Sequence, residues 1–468
     1  MSQAQAPIAP TPLVAPDEDA AASRGSPVRA LLVLATPVLA EHALHILVGL
    51  TDTYLANHLD RSKAEATAAV GTVGYIFWFI GLFAGAVGTG STAIIAREVG
   101  ARHRRRANSV CGQSMLFAAI LGVALGIFLW LAAGPVIAFT NLQGEAREFA
   151  TSYLRMLTPA VPFLVLMFVA NACLRGAGDT LTPAVSMIVV DVLNIIFSCG
   201  LTWGLWGMPK MGFDGIAIGT MIAYVGGGVL QVVVLLVGRG GIKLHVHRLR
   251  PHLRDMKRIV RIGVPAGITD AINWIANFGL LKVVNRTAPL NVAAAAHINT
   301  VRIESISYMT GFAVAVAVST MVGQSLGMKD PRRAQRVAYL AYAIGGGFMT
   351  FVGLMFIFFA QYPAALLAGD PEVRDLTAKC LQITGFCQAG FAAAIIFGGA
   401  LRGAGDTFAV MLITMVSILT LRLGGVWLLG YYRQPLPMIW ILLAADLFIR
   451  GLLVYGRFLH GGWKRVKV

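Results

Sequence analysis

The heptapeptide LRGAGDT occupies residues 174–180, and the same seven letters return at residues 401–407. The two copies are 401 − 174 = 227 residues apart, close to half of the 468-residue chain. At the same interval, Gly100, Arg105, Arg106, Ala107 and Val110 correspond to Gly327, Arg332, Arg333, Ala334 and Val337. With one residue of slack, Pro37 also corresponds to Pro265. The sequence therefore predicts that one structural unit occurs twice.

The composition places this repeated unit in a membrane. The chain is 57% hydrophobic and only 13% charged, whereas a soluble globular chain carries about 25% charged residues. Apolar blocks long enough to span a bilayer, roughly 20 residues each, recur from end to end. An outer-membrane barrel would need alternating segments of about 10 residues, which these unbroken runs exclude.

Twelve spans are predicted, at residues 29–57, 69–97, 109–139, 149–173, 181–204, 214–238, 258–285, 292–325, 334–361, 372–400, 408–431 and 437–460. Because six helices separate corresponding points, both halves enter the membrane from the same side and form parallel repeats. The fold class is an all-α membrane protein with two pseudo-symmetric six-helix lobes. We expect a disordered cytoplasmic tail (1–28), an N-lobe (29–238), a basic cytoplasmic linker (239–257), a C-lobe (258–460) and a basic cytoplasmic tail (461–468).

The net charge of +16 is concentrated in alternate loops, which is the positive-inside pattern. The pattern predicts a multi-pass protein of the plasma (inner) membrane with both termini in the cytoplasm. No aromatic residues interleave with the basic clusters, so a nucleic-acid partner is not expected. The five cysteines form no C-x-x-C pair, which argues against a disulfide framework and against a metal site.

The repeated heptapeptide is expected to form the corner between helices 4 and 5, and again between helices 10 and 11. Its glycines let the chain leave a helix in a left-handed turn, and Asp179 or Thr180 then caps the next helix. Arg175 is expected to pair with Asp179 or with lipid phosphates. The predicted structural corner residues are Arg175, Gly176, Gly178, Asp179, Arg402, Gly403, Gly405 and Asp406.

Taken together, these features resemble the MATE (multidrug and toxic compound extrusion) family. They are the twelve helices, the paired LRGAGDT corners, the Thr51-Asp52-Thr53 triplet and the G-x-x-x-x-R-R-A segments at residues 100–107 and 327–334. The first-helix aspartate most resembles the bacterial branch of DNA-damage-inducible F-type members. The resemblance implies a V-shaped pair of lobes and ion-driven export of amphipathic, often cationic, compounds.

Charged residues at bilayer depth are functional candidates, because each costs roughly 2.5–3.5 kcal/mol to insert. In the first helix, Glu41, His45 and Asp52 lie at about 0°, 40° and 20° around the axis, on one face. This row is suited to relaying a proton; the alternative is a hydrogen-bonded seam that fixes helix packing. His42 lies off the face and is expected to be structural.

The fifth helix carries Asp191, Asn194 and Ser198 within about 60° of one another. The resemblance implies an Asn–x–x–x–Asp pair here that works with the first-helix aspartate. Asn194 matches the asparagine, but Ser198 stands where the aspartate is expected, and Asp191 is a candidate substitute one turn earlier. The predicted ion-coupling residues are Asp52, Asn194, Ser198, Asp191, Glu41 and His45.

The C-lobe carries a second set of polar residues, predicted to contact the substrate or to provide other polar contacts: Asp270, Asn273, Asn277 and Glu304. The resemblance places a coupling glutamate of many relatives at Asn273. At the 227-residue offset, Asp52 corresponds to Gly279, so its charge is not repeated, and coupling is expected to centre on Asp52. Arg302, Lys282 and Arg422 are interpreted as helix-end residues that extend to the membrane surface.

The leading functional hypothesis is therefore a proton-driven antiporter that exports amphipathic small molecules by alternating access. Sodium is the alternative coupling ion, and no other cofactor is expected. A flippase for lipid-linked saccharides is a further alternative, disfavoured here because few basic residues fall in mid-span. An intramembrane enzyme is not indicated, since D-x-x-x-D, H-E-x-x-H and P-loop motifs are absent. The expected partners are the substrates and the lipid bilayer, and the protein is expected to be a monomer.

Overall fold

The computed structural model describes residues 26–466 and 468, apart from 247, 248, 250, 286, 288, 289, 432 and 433. The first helix begins at Pro27. Of the predicted disordered tail, residues 1–25 therefore lie outside the described part of the chain, and residues 27 and 28 already belong to a helix.

Long helices dominate the described residues and confirm the predicted all-α membrane fold. They are α1 Pro27–Asn57, α2 Lys63–Gly100, α3 Arg104–Phe139, α4 Gly144–Ala177, α5 Leu181–Trp203, α6 Phe213–Val237, α7 Leu253–Val284, α8 Leu290–Gly327, α9 Pro331–Phe359, α10 Pro371–Gly403, α11 Thr407–Gly430 and α12 Leu436–His460. Within the described chain, eleven of them are long and apolar enough to cross a membrane. The twelfth, α7, has 32 residues but is more polar, because it carries Asp270, Asn273 and Asn277.

The observed helices differ from the predicted spans by up to six residues at their ends; α2, for example, begins at Lys63 rather than at residue 69. Helix α7 begins at Leu253 rather than at residue 258, so the last five residues of the predicted linker are helical. Helix α9 ends at Phe359, and a separate short helix, Gln361–Leu367, follows it. At the starts of α2 and α7, helical backbone extends into a polar segment, which hydropathy alone does not detect.

Each six-helix lobe has its own apolar core, but the first helix of each lobe starts against the other lobe. The N-lobe core includes Ile259 and Ile262 of α7. The C-lobe core includes Leu31 and Ala35 of α1. The lobes are therefore joined through the early turns of α1 and α7.

We call the end of the bundle that carries the arginine-rich α2–α3 and α8–α9 loops the basic end. There α2 and α8 approach so closely that a methyl group on Gly100 would lie 2.0 Å from the carbonyl oxygen of Gln324. A methyl group on the repeat-related Gly327 would lie 2.1 Å from the carbonyl oxygen of Arg97. Because only glycine fits such an approach, the two lobes are in tight contact at the basic end.

The last residues of the chain cross the same junction. Trp463 is fully buried in the C-lobe core. Arg97 of α2 donates to the carbonyl oxygen of Val466 at 2.8 Å, and Arg258 of α7 donates to that of Val468 at 2.7 Å. The predicted basic tail thus bridges the two lobes.

Candidate ion-coupling site

Asp52 lies near the end of α1 opposite the basic end, and its carboxylate is only 3% exposed. Tyr153 of α4 donates its hydroxyl to one carboxylate oxygen at 2.8 Å. Thr220 of α6 lies 2.8 and 2.9 Å from the two oxygens, and Asn194 of α5 donates its amide at 3.1 Å. These partners are all neutral, and Asp52 forms no ion pair with any described residue.

Asn194 links Asp52 to the rest of the pocket. Its amide nitrogen lies 2.9 Å from the Thr220 hydroxyl and 3.2 Å from the Ser198 hydroxyl. Its carbonyl oxygen is buried and lacks a hydrogen-bond partner in the described chain. The predicted grouping of Asp52, Asn194 and Ser198 is therefore present, and it leaves one oxygen acceptor free beside the carboxylate.

Asp191 does not join this group. Its side chain is 3% exposed, and both of its carboxylate oxygens are buried without a hydrogen-bond partner in the part of the chain that the structure describes. The Ser198 hydroxyl, not the Asp191 carboxylate, lies within hydrogen-bond distance of the Asn194 amide. The hypothesis that Asp191 replaces the missing acid there has no hydrogen bond to support it in this structure.

Each residue of the predicted row on α1 contacts α4, and Asp52 also contacts α5 and α6. Glu41 contacts Arg175 and Asn171, and His45 stacks on Phe168 with ring centroids 5.2 Å apart. Both oxygens of Glu41 lie 2.9 Å from the Arg175 guanidinium. Asp179, one of the two partners expected for Arg175, is therefore not its partner among the described contacts. Arg175 forms an ion pair with Glu41 instead, while Asp179 caps α5.

Both LRGAGDT copies form the predicted corner. Gly178 and Gly405 adopt φ values of +99° and +86°, and the amides that follow return to the carbonyl oxygens of Leu174 and Leu401 at 2.9 Å each. Asp179 caps α5 by accepting from the Thr182 amide at 2.9 Å. Asp406 instead pairs with Arg457 of α12, so the capping role is not repeated.

The two corners also explain why the repeat retains a second glycine. A methyl group on Gly176 would lie 2.9 Å from the carbonyl oxygen of Thr92, and one on Gly403 would lie 2.1 Å from that of Ser319. Thr92 and Ser319 are themselves 227 residues apart. Arg402 bonds back to its own helix, with its Nε 3.3 Å from the Gly398 carbonyl oxygen.

In the C-lobe, the central charged residue is Asp446 of α12, which is fully buried. Arg422 of α11 donates to it at 3.0 Å, and Arg450 and Ser417 also donate to it. The interpretation of Arg422 as a helix-end residue was wrong, because its side chain points into the lobe and is 7% exposed. Arg422 and Arg450 are the two arginines buried inside the described part of the C-lobe, where the sequence predicted few basic residues.

The predicted C-lobe residues fall into three groups around these charges. Asn277 accepts from Arg422 at 3.1 Å and Asn273 accepts from Arg450 at 3.2 Å. Glu304 accepts from Gln388 of α10 at 3.2 Å. Asp270 is half-buried and shares no hydrogen bond with either group among those that the structure describes.

Sequence reasoning missed Tyr153, Thr220, Asp446 and Arg450. A lone hydroxyl in an apolar span gives no usable signal, because most such hydroxyls bond to their own helix. Asp446 and Arg450 did have a detectable sequence signal. They are four residues apart on one helix face, a spacing at which opposite charges come into contact.

Comparison with known proteins gives a consistent result. The profile of the MatE family matches residues 37–199 and 265–428. A probable multidrug resistance protein NorM of Thermotoga maritima is 30% identical over 438 residues, covering 93% of each chain. Two solved structures share the fold: a MATE in the bent conformation (TM-score 0.87, 23% identity, 95% and 98% coverage) and a multidrug resistance MATE family transporter in an outward-facing conformation (0.84, 22%, 95% and 98%).

Proposed function

We propose that this chain, which belongs to the MatE family, exports amphipathic, often cationic small molecules in exchange for protons that bind at Asp52. The observation that carries the proposal is a buried carboxylate with no cationic partner among the described residues. A charge in that position is costly unless a proton or a metal cation neutralises it. The protein is a transporter rather than an enzyme.

The surroundings of Asp52 suit a group that alternates between two charge states. Ionised, the carboxylate accepts hydrogen bonds from Tyr153, Thr220 and Asn194. Protonated, it becomes a donor, and the Asn194 carbonyl oxygen, which has no described partner, can accept from it once the amide turns over. Taking up a proton therefore changes the hydrogen bonds between α1 and α5. Such a local rearrangement can bias a two-state transport cycle.

Sodium is the alternative coupling ion for the same pocket. The carboxylate of Asp52, the free Asn194 oxygen and the hydroxyls of Thr220 and Ser198 form an all-oxygen set, which is what hard cations prefer. We favour protons over sodium because a proton needs only the Asp52 carboxylate, whereas sodium needs several oxygen ligands in a defined geometry.

The cargo path is proposed to run between the lobes. Trp274 of α7 lies 5.8 Å from Trp78 and 6.0 Å from Phe79 of α2, measured between ring centroids. Trp78 and Phe79 are exposed. Exposed aromatic rings where the two lobes meet suit amphipathic cations, which bind through apolar surface and cation–π contacts.

We further propose that the protein lies in the inner membrane with its basic end in the cytoplasm, following the positive-inside pattern. On that orientation, the close contacts of Gly100 and Gly327 hold the cytoplasmic side shut. The structure would then correspond to an outward-facing state, the state named for one of the structural neighbours.

The test is dye efflux from proteoliposomes under a proton gradient alone or a sodium gradient alone. We expect the proton gradient to drive export by the wild type, and Asp52→Asn to reduce it to the rate of protein-free liposomes. Asp60→Asn is the matched control, since Asp60 is an exposed loop residue that pairs with Lys210.

Each outcome decides a separate point. Transport that follows sodium instead would overturn the proton assignment while leaving Asp52 as the coupling site. Proton-driven transport that survives in Asp52→Asn would contradict the site. Absence of gradient-driven efflux of any amphipathic cation would favour the lipid-linked saccharide alternative, for which the buried Arg422 and Arg450 become relevant.

A further inference from the structure

A second buried ionic cluster lies in the C-lobe, far along the chain from Asp52. Asp446 is 0% exposed, and Arg422 and Arg450 are 7% and 8% exposed. Both guanidinium groups contact the same carboxylate oxygen of Asp446, Arg422 at 3.0 Å. Both arginines lie well inside their helices, so neither head group reaches a helix end.

The charges in direct contact do not balance. Two guanidinium groups surround one carboxylate, which leaves a formal excess of one positive charge among the described contacts. Glu304 of α8 is a further buried acid that attracts Arg422 through space, but its hydrogen-bond donor is the neutral Gln388, and no described ion pair joins it to either arginine. A buried uncompensated charge is strongly unfavourable. In direct contact, the two guanidinium groups therefore have donor capacity for one more carboxylate beside Asp446.

Donors are available to hold that anion. The Nε of Arg450 is buried and has no hydrogen-bond partner within the described residues. Among the described contacts, the Nη1 atoms of Arg450 and Arg422 donate to the neutral side-chain oxygens of Asn273 and Asn277 respectively. An incoming oxyanion can displace these two amides without breaking either ion pair to Asp446.

The local backbone also suits a binding function. Arg422 lies in a π-helical segment, Ile418–Gly425, inside α11. Such segments widen the helix by one residue and are frequent at functional sites. Asn277, the amide over Arg422, lies on an exposed position of α7, so the cluster is one side chain away from the surface of the lobe.

We propose that the Arg422–Asp446–Arg450 cluster, with Asn273 and Asn277 as displaceable caps, is a subsite that binds a carboxylate group of the transported molecule. A planar guanidinium matches a carboxylate with two parallel hydrogen bonds. The subsite rests on the proposed export function and extends its cargo from cations to zwitterions that carry an acid group.

The test uses two dyes that differ only at the acid: rhodamine 110, which has a free carboxylate, and its methyl ester. Binding of each to the purified wild type is measured by fluorescence polarisation. We expect rhodamine 110 to bind about tenfold more tightly than the ester, the value of one charge-assisted hydrogen bond. A ratio of one in the wild type would overturn the proposal.

Variants then assign the preference to the cluster. Arg450→Gln and Arg422→Gln each leave one arginine paired with Asp446, so both should fold. Each should bring the acid-to-ester affinity ratio close to one while leaving ester binding unchanged. Arg450→Lys, which keeps the charge, should retain part of the preference. Arg302→Gln, which removes an exposed arginine of α8, is the matched control and should keep the wild-type ratio.

These results separate this proposal from the export function on which it rests. If liposomes export the ester under a proton gradient but the ratio survives in both glutamine variants, the export function stands and the subsite is wrong. If the ester is not exported by the wild type, the export function itself fails. An equal loss of affinity for both dyes would show that the arginines only support the fold, and would also reject the subsite.

Discussion

The two lobes place a buried aspartate in opposite surroundings. Among the described residues, Asp52 of the N-lobe has neutral hydrogen-bond partners, with the Tyr153 and Thr220 hydroxyls each 2.8 Å from its carboxylate. Asp446 of the C-lobe is held by two guanidinium groups. Asp52 is therefore surrounded by uncharged groups, whereas Asp446 is surrounded by two positive charges.

This difference shows how duplication and specialisation coexist in one chain. The LRGAGDT corners and their glycine contacts are present in both halves, because the same close packing of helix backbones occurs in each half and requires glycine. The charged groups are not kept. A membrane interior tolerates few charges, so each charge that persists reflects what its own lobe binds.

The largest expected effect separates the two aspartates by stability. Asp446→Asn leaves two buried guanidinium groups without their carboxylate, and we expect a loss of about 3–5 kcal/mol. Asp52→Asn removes a buried charge that has no ionic partner, so its stability should equal or exceed that of the wild type. Thermal unfolding in lipid nanodiscs, followed by tryptophan fluorescence, measures both variants.

Two other outcomes would contradict the proposed difference between Asp52 and Asp446. Equal destabilisation by the two substitutions would mean that Asp52 has an ionic partner in the membrane. Equal tolerance would mean that the arginines of the C-lobe already have another anion.

Much of the N-lobe site could be predicted because its residues are exceptional in a membrane helix. Asp52 and Asn194 stand out in apolar spans, and their depth alone marks them. Tyr153 and Thr220 do not stand out, since their hydroxyls are tolerated almost anywhere, and only the packing of α4 and α6 against α1 brings them to Asp52. The C-lobe site was missed because an arginine in an apolar span was assigned to the membrane surface, and only the packing of α11 against α12 shows that Arg422 turns inward to Asp446.

A smaller effect is expected from removing one donor at each site. Tyr153→Phe removes a hydroxyl from Asp52 while its ring can still pack on Phe213, 5.5 Å away between centroids. We expect proton-driven efflux to fall about tenfold. Ser417→Ala removes a hydroxyl from Asp446, which keeps both arginines, and efflux should change less than about twofold. Initial rates at a fixed pH gradient compare the two, and a reversed order would contradict the assignment of coupling to the N-lobe.

The smallest effect concerns Asp191, which belongs to neither site. Both of its oxygens are buried and unpartnered among the described residues, so Asp191→Leu replaces an unsatisfied polar group by an apolar one of similar size. Such a replacement is neutral or stabilising, here by about 0–1 kcal/mol, and efflux should continue. Loss of proton-driven efflux without loss of stability would instead make Asp191 a second proton carrier on α5, one turn from Asn194. The N-lobe would then contain two coupling acids, and Ser198 would no longer mark a departure from the family pattern, only a shift of its acid along the helix.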